Sequence, residues 1–231
     1  GGTPDRLRTA AAMKAMEENP GVELLGSLPG RWNRVDGRKA LEDLMTAHRN
    51  FDAVICLNDE MAVGALAALE DSGRKNVPLI GHNGTTEVME YIRDGRILAS
   101  ASTFPFWIGA YMVALAFDAA NGWKPSLPER MLISQHAVID QSNVAVYIEK
   151  YVKNIQNLPF DFKRMSRILH PEDWDPQNGV TPLNVDEYFR FYPQPAGFTM
   201  PSDWKASVES GEPERVAELY ATHYQKKILS I

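Results

Sequence analysis

Four helix-periodic stretches alternate with four short, continuous apolar runs over the first 103 residues, and this alternation limits the fold more than any other feature. The apolar runs are "VELLGSL" (22–28), "DAVICL" (52–57), "VPLIG" (77–81) and "ILASAS" (97–102). The intervening stretches read as helices over 4–18, 37–49, 61–70 and 86–95. Strands that are apolar on both faces are buried on both faces. The pattern therefore predicts a parallel sheet flanked by helices on both faces, an α/β fold. A long helix is expected over 105–120, with short strands at 129–134 and 137–140.

Beyond about residue 141 the texture changes. A helical stretch broken at Pro159 leads into a segment rich in Pro, Asn, Asp and aromatics. One or two helices close the chain, with Ser202 as a cap. The aromatic content is too high for a disordered linker, so an ordered irregular extension is expected. The chain has 231 residues and a net charge of −6 without a basic block, which argues against a nucleic-acid partner. The single cysteine, Cys56, reads as a small buried hydrophobe.

In open parallel α/β sheets, ligands sit beyond the carboxyl ends of the strands. The residues just past each predicted strand are Arg31-Trp32-Asn33-Arg34, Asn58-Asp59, His82-Asn83-Gly84 and Ser102-Thr103. Arg6 joins them if another strand precedes the first helix. Amides and guanidinium groups suit hydroxyls, and an indole suits the C–H face of a sugar. A glycine-rich nest with lysine, which phosphate would call for, is absent from this set. Asp59 is expected to cap the helix that follows it, leaving Asn58 to face a ligand. His48, His82, His136, His170 and His223 have no ligand-spaced partners, so neither a metal nor another cofactor is expected. No nucleophile elbow or paired acid and base points to an enzyme.

The stretches "GTPDRLRTAAAMKAM", "RWNRVDGRKALEDLM", "NDEMAVGALAALEDSG", "VPLIGHNGTTEVMEYIRDGRILAS" and "STFPFWIGA" occur in an order that resembles the type I periplasmic sugar-binding proteins. These are the ribose-binding-like solute receptors of ATP-binding-cassette importers. The resemblance covers roughly residues 2 to 144 and is similar to the C-terminal lobe of that family. It implies a sugar or polyol bound between two closing lobes, a membrane permease as partner and a periplasmic location. It also implies that residues 1–103 form the C-terminal sugar-binding lobe without its N-terminal lobe and first strand. Residues 104–140 would be the crossover helix and strands that pack on the missing lobe and hinge. Residues 141–231 would be an extension without a counterpart.

Carried over residue by residue, the resemblance implies ligand contacts from Arg6, Trp32, Asn58, Asn83 and Thr103. Asn83 stands where the family usually has aspartate, and Thr103 where glutamine is common. An apolar face on 104–120 without its lobe would favour a homodimer. The effector domain of a lactose-repressor-type regulator shares the fold and is the alternative reading. It would need a basic helix-turn-helix upstream.

Overall fold

The computed structural model describes residues 3–190 and 194–225. It divides into two compact units, residues 1–103 with 137–156, and residues 104–136 with 157–231.

In the first unit, α1 (Thr3–Glu17) is followed by α2 (Arg34–Ala47), β1 (Val54–Ile55), α3 (Asp59–Asp71), β2 (Leu79–Asn83), α4 (Thr86–Arg93) and β3 (Ala99–Ser102). The chain then passes through the other unit's α5 (Pro105–Ala120) and β4 (Leu132–Ser134) before returning as β5 (Ala137–Asp140) and α6 (Val144–Tyr147). The sheet order is β1-β2-β3-β5. The first three strands are parallel, with Ile55 opposite Ile80 and Asn83 opposite Ser102, and β5 runs antiparallel to β3. The fold is thus the expected α/β class, a parallel sheet flanked by helices. Its core contains Leu69, Leu79, Val88, Met89, Ile92, Ile97 and Ile139, all nearly inaccessible.

The predicted strand at 22–28 is not a strand in the structure. Val22, Leu24, Leu25 and Leu28 are each at least 40% exposed. An apolar run becomes a strand only when another strand supplies hydrogen-bond partners. Among the described residues none pairs with this segment, and β1 pairs only with β2.

Helices α2 and α3 approach closely through two glycines. A Cβ on Gly37 would lie 2.8 Å from Met61 Cα, and one on Gly64 would run into the Arg34 carbonyl oxygen. This backbone-to-backbone contact sets the spacing between the start of α2 and the start of α3, where the candidate site lies. On the other flank Tyr147 is fully buried. Its hydroxyl lies 2.9 Å from Ser102 Oγ and 3.4 Å from the Gly84 carbonyl, which joins residues 137–156 to the strand ends.

In the second unit α5 and β4 are joined by β6 (Val180–Pro182), α7 (Val185–Arg190), α8 (Ser202–Glu209) and α9 (Glu212–His223). β4 and β6 form an antiparallel pair. One face of α5 is covered: Trp107, Tyr111, Ala114 and Asp118 are buried. Trp107 donates its indole N–H to the Pro176 carbonyl at 2.6 Å. The carboxylate of Asp118 accepts from Ser166 Oγ and from the backbone N–H groups of Arg167 and Ile168. Residues beyond 157 therefore provide the cover for this face of the helix. The opposite face of α5 keeps Met112 at 64% and Val113 at 70% exposure.

The centre of this unit is a guanidinium in an aromatic cage. Arg167 lies over the rings of Trp174, Trp123 and Tyr220 at 4.0, 4.9 and 4.9 Å. Its Nη2 is 2.7 Å from the buried Glu129 carboxylate, although off-axis for a well-directed hydrogen bond. Charge and π-face contact thus hold the cation together.

Two outcomes follow from this packing. Gly64→Ala should cost about 1–3 kcal/mol through forced separation of α2 and α3, read as a lower urea midpoint at unchanged slope. Arg167→Ala should cost about 3–5 kcal/mol because Glu129 would stay buried without its partner. Tryptophan fluorescence, reporting Trp123 and Trp174, would register that unfolding.

Candidate functional site

The carboxyl ends of the parallel strands are tied together by one buried carboxylate. Asp59 is 1% exposed. Its Oδ2 accepts from the Thr85 backbone N–H at 2.7 Å and the Thr85 hydroxyl at 3.0 Å, while its Oδ1 accepts from Ser100 Oγ at 2.7 Å. Ser100 Oγ in turn accepts from Gly84 N–H at 3.2 Å. One side chain thereby connects the start of α3, the β2–α4 loop and β3.

Because Asp59 is committed inward, Asn58 is the residue that caps α3. Its Oδ1 accepts from Met61 N–H at 2.9 Å. This reverses the expected division of labour, in which Asp59 was the cap. The physical reason is tertiary: Asp59 finds three donors in the core, and the preceding residue has the extended backbone that a cap requires. Asn58 also donates Nδ2 to the Trp32 carbonyl at 3.2 Å. One N–H and one lone pair of its amide remain for a ligand.

Trp32 follows Arg31 in left-handed backbone, with φ of 64° and 47°. Side-chain-bearing residues pay roughly 1–2 kcal/mol each for this conformation. Two asparagine amides hold the strained peptides. Asn58 takes the Trp32 carbonyl, and Asn33, the cap of α2, takes the Arg31 carbonyl at 3.3 Å. The Trp32 ring, 37% exposed, lies under the Arg8 guanidinium at 5.7 Å. Arg8 also donates Nη1 to the Leu57 carbonyl at 2.5 Å, just before the Asn58 cap. Burial pulls the Arg8 guanidinium below its ordinary value, with the Asp59 charge acting the other way.

Of the residues singled out from sequence, Trp32 and Asn58 are in direct contact. Asn83 and Thr103 are brought together as well, since Thr103 N–H points to the Asn83 carbonyl at 3.4 Å. Arg6 is exposed on α1. It is two positions from Arg8, about 200° around a helix, so the two cannot share a face. Arg8 is the residue that sequence reasoning missed. Helical spacing alone shows that only one of the pair can face the strand ends. Arg34 bridges Glu60 and Glu87 at 2.6 Å each. Its hydrogen bonds hold both carboxyls below their usual range. Burial pushes the Cys56 thiol up to about 12, with Asp59 adding to it.

With this geometry in place, similarity to known proteins is informative. The profile of the periplasmic binding protein domain matches residues 1–124. The chain belongs to the periplasmic binding protein family. The ribose import binding protein of Escherichia coli K12 is 37% identical over 101 residues, 44% of this chain and 34% of that protein. The D-apiose import binding protein of Actinobacillus succinogenes is 26% identical over 137 residues, 59% of this chain and 44% of that protein.

A solved solute binding protein of an ABC transporter from Bacillus halodurans C-125, with bound myo-inositol, superposes with a TM-score of 0.57 at 28% identity. The match covers 62% of this chain and 49% of that one. An Actinobacillus succinogenes solute binding protein with bound D-allose shares the fold at a TM-score of 0.56 and 23% identity, covering 61% and 49%. The chain thus spans less than half the length of each of these relatives.

The rim of this periplasmic binding protein depends on Asp59. Asp59→Ala would leave the two Thr85 donors and Ser100 without an acceptor, at a cost of about 3 kcal/mol or more. Thermal unfolding should show that loss, and amide exchange should quicken first at Gly84 and Thr85.

Proposed function

We propose that the chain is the C-terminal lobe of a solute-binding component of an ABC-type importer, which binds a sugar or polyol between two lobes. The observation that carries this reading is the cluster at the strand ends, where Asn58 holds the Trp32 carbonyl and the Arg8 guanidinium lies over the Trp32 indole while donating to the Leu57 carbonyl. Asn83 and Thr103 supply further polar groups on the adjacent strand ends.

The indole stacks on the C–H face of a sugar ring, and the amides bracket its hydroxyls. The relatives named above for ribose and D-apiose import support the ligand class. They favour transport over the repressor-type alternative. A membrane permease is the partner, the location is periplasmic, and the role is binding rather than turnover. The exposed stripe of α5 around Met112, Val113 and Phe117 is the surface through which two copies would pair.

Calorimetry against ribose, allose, apiose and myo-inositol tests the reading. Trp32→Ala and Asn58→Ala should each weaken binding by about 1–2 kcal/mol. Asn58→Asp keeps the cap acceptor but loses the donor to the Trp32 carbonyl, so it should keep the start of α3 capped while losing affinity. Unchanged affinity in all three variants would remove these residues from the site, and binding of none of the sugars would remove the function.

A further inference from the structure

Asparagine is followed by glycine at 83–84, 121–122 and 178–179. Asparagine is a thermolabile residue, and a following glycine makes it more so. Glycine has no Cβ to shield its backbone nitrogen, which can then attack the asparagine side-chain carbonyl carbon. The fold decides which pair can react, because the attack needs a side chain free to rotate and a glycine N–H free to approach it.

Two of the pairs are locked. Asn83 is the last residue of β2 and lies opposite Ser102 in the ladder. Gly84 N–H donates to Ser100 Oγ at 3.2 Å, and a Cβ on Gly84 would lie 2.5 Å from Ser102 Oγ. Asn178 is fully buried and donates Nδ2 to the Gln135 carbonyl at 3.2 Å. Gly179 is pressed against the Gln135 side chain, and its carbonyl accepts from Gln135 N–H at 2.7 Å.

The third pair is open. Asn121 and Gly122 are both exposed, immediately past the end of α5. Gly122 has a φ of 102°, and a Cβ there would meet nothing within 4 Å. Its N–H reaches the Ala119 carbonyl at 3.3 Å, the longest backbone hydrogen bond of this turn. Asn121 Nδ2 donates to the Phe117 carbonyl at 2.8 Å, a contact on the solvent side of the helix end.

We propose that Asn121 is a site of spontaneous deamidation in the folded protein, with water as the co-reactant, while Asn83 and Asn178 are protected. The Gly122 nitrogen bonds to Asn121 Cγ and gives up its proton as the Cγ–Nδ2 bond breaks and ammonia leaves. Water then opens the cyclic imide at either carbonyl, giving aspartate or isoaspartate. Both products replace the donor to Phe117 with a carboxylate at the negative end of the α5 dipole. Isoaspartate also adds a carbon to the main chain between α5 and Trp123. Trp123 N–H donates to the Asp118 carbonyl at 2.9 Å, and its ring lies against Arg167. The modification therefore loosens the cage around Arg167 from its edge.

The test is to age the 231-residue chain in mildly alkaline buffer, with and without urea, and follow each asparagine by peptide mass mapping and isoaspartate detection. In native buffer Asn121 should deamidate about tenfold or more faster than Asn83 and Asn178, which react only in molecules opened locally. In urea the three should react at comparable rates. The aged chain should melt at a lower temperature with altered tryptophan fluorescence. Asn121→Asp should reproduce the charge-dependent part of that shift without ageing, and Asn121→Gln should age without it.

Equal rates at the three positions in native buffer, or an Asn121 that stays intact when folded and reacts in urea, would overturn the assignment of the site. A chain carrying isoaspartate at position 121 that melts like the fresh one would overturn its coupling to the Arg167 cage.

Discussion

The buried carboxylate of Asp59 is the constraint on which the rest of the strand-end surface depends. A charge taken out of water is tolerable only when donors replace its hydration. Here three donors come from two separate places in the chain, Thr85 and Ser100. The same carboxylate lies in the first turn of α3, on the positive side of that helix. Its chemical need thereby fixes the relative positions of α3, the β2–α4 loop and β3. Asn58 then becomes the cap, and the cap holds the Trp32 carbonyl. The aromatic platform and its arginine are consequences of a choice made one residue away.

Strain and close packing complete that platform. Gly37 and Gly64 let α2 meet α3 at backbone distance, which brings the loop before α2 within reach of the Asn58 amide. Two successive side-chain-bearing residues can stay in left-handed backbone because each of their carbonyls has an asparagine donor. Such strain is retained where the surroundings over-determine it, and functional sites are where this occurs most often.

The second unit repeats the principle with different residues. Asp118, fully buried, gathers Ser166 and two backbone N–H groups, and Arg167 is enclosed by three aromatic rings with Glu129 alongside. Apart from Arg167 and Trp174, these pairs are distant in sequence. Asp118 and Arg167 look like ordinary surface residues when read in their local windows. The irregular segment after residue 157 shows only that it is too aromatic to be a linker. That Trp174 and Tyr220 close over Arg167 is a fact of long-range packing, invisible to periodicity or turn chemistry.

What the amino-acid order determined by itself was the local alphabet. Helices over α1, α2, α3, α4 and α5, strands at β2, β3 and β5, and the polar set just past the strand ends all follow from apolar period and capping chemistry, which involve neighbours within a few positions. Tertiary structure decided the rest. It denied the 22–28 segment a ladder, since a strand needs a partner and an apolar run cannot provide its own. It exchanged the roles of Asn58 and Asp59, because donors from distant strands outbid a helix end. It turned Arg8 rather than Arg6 toward Trp32, because helix rotation is set by what the helix packs against and two positions on one helix cannot face the same way.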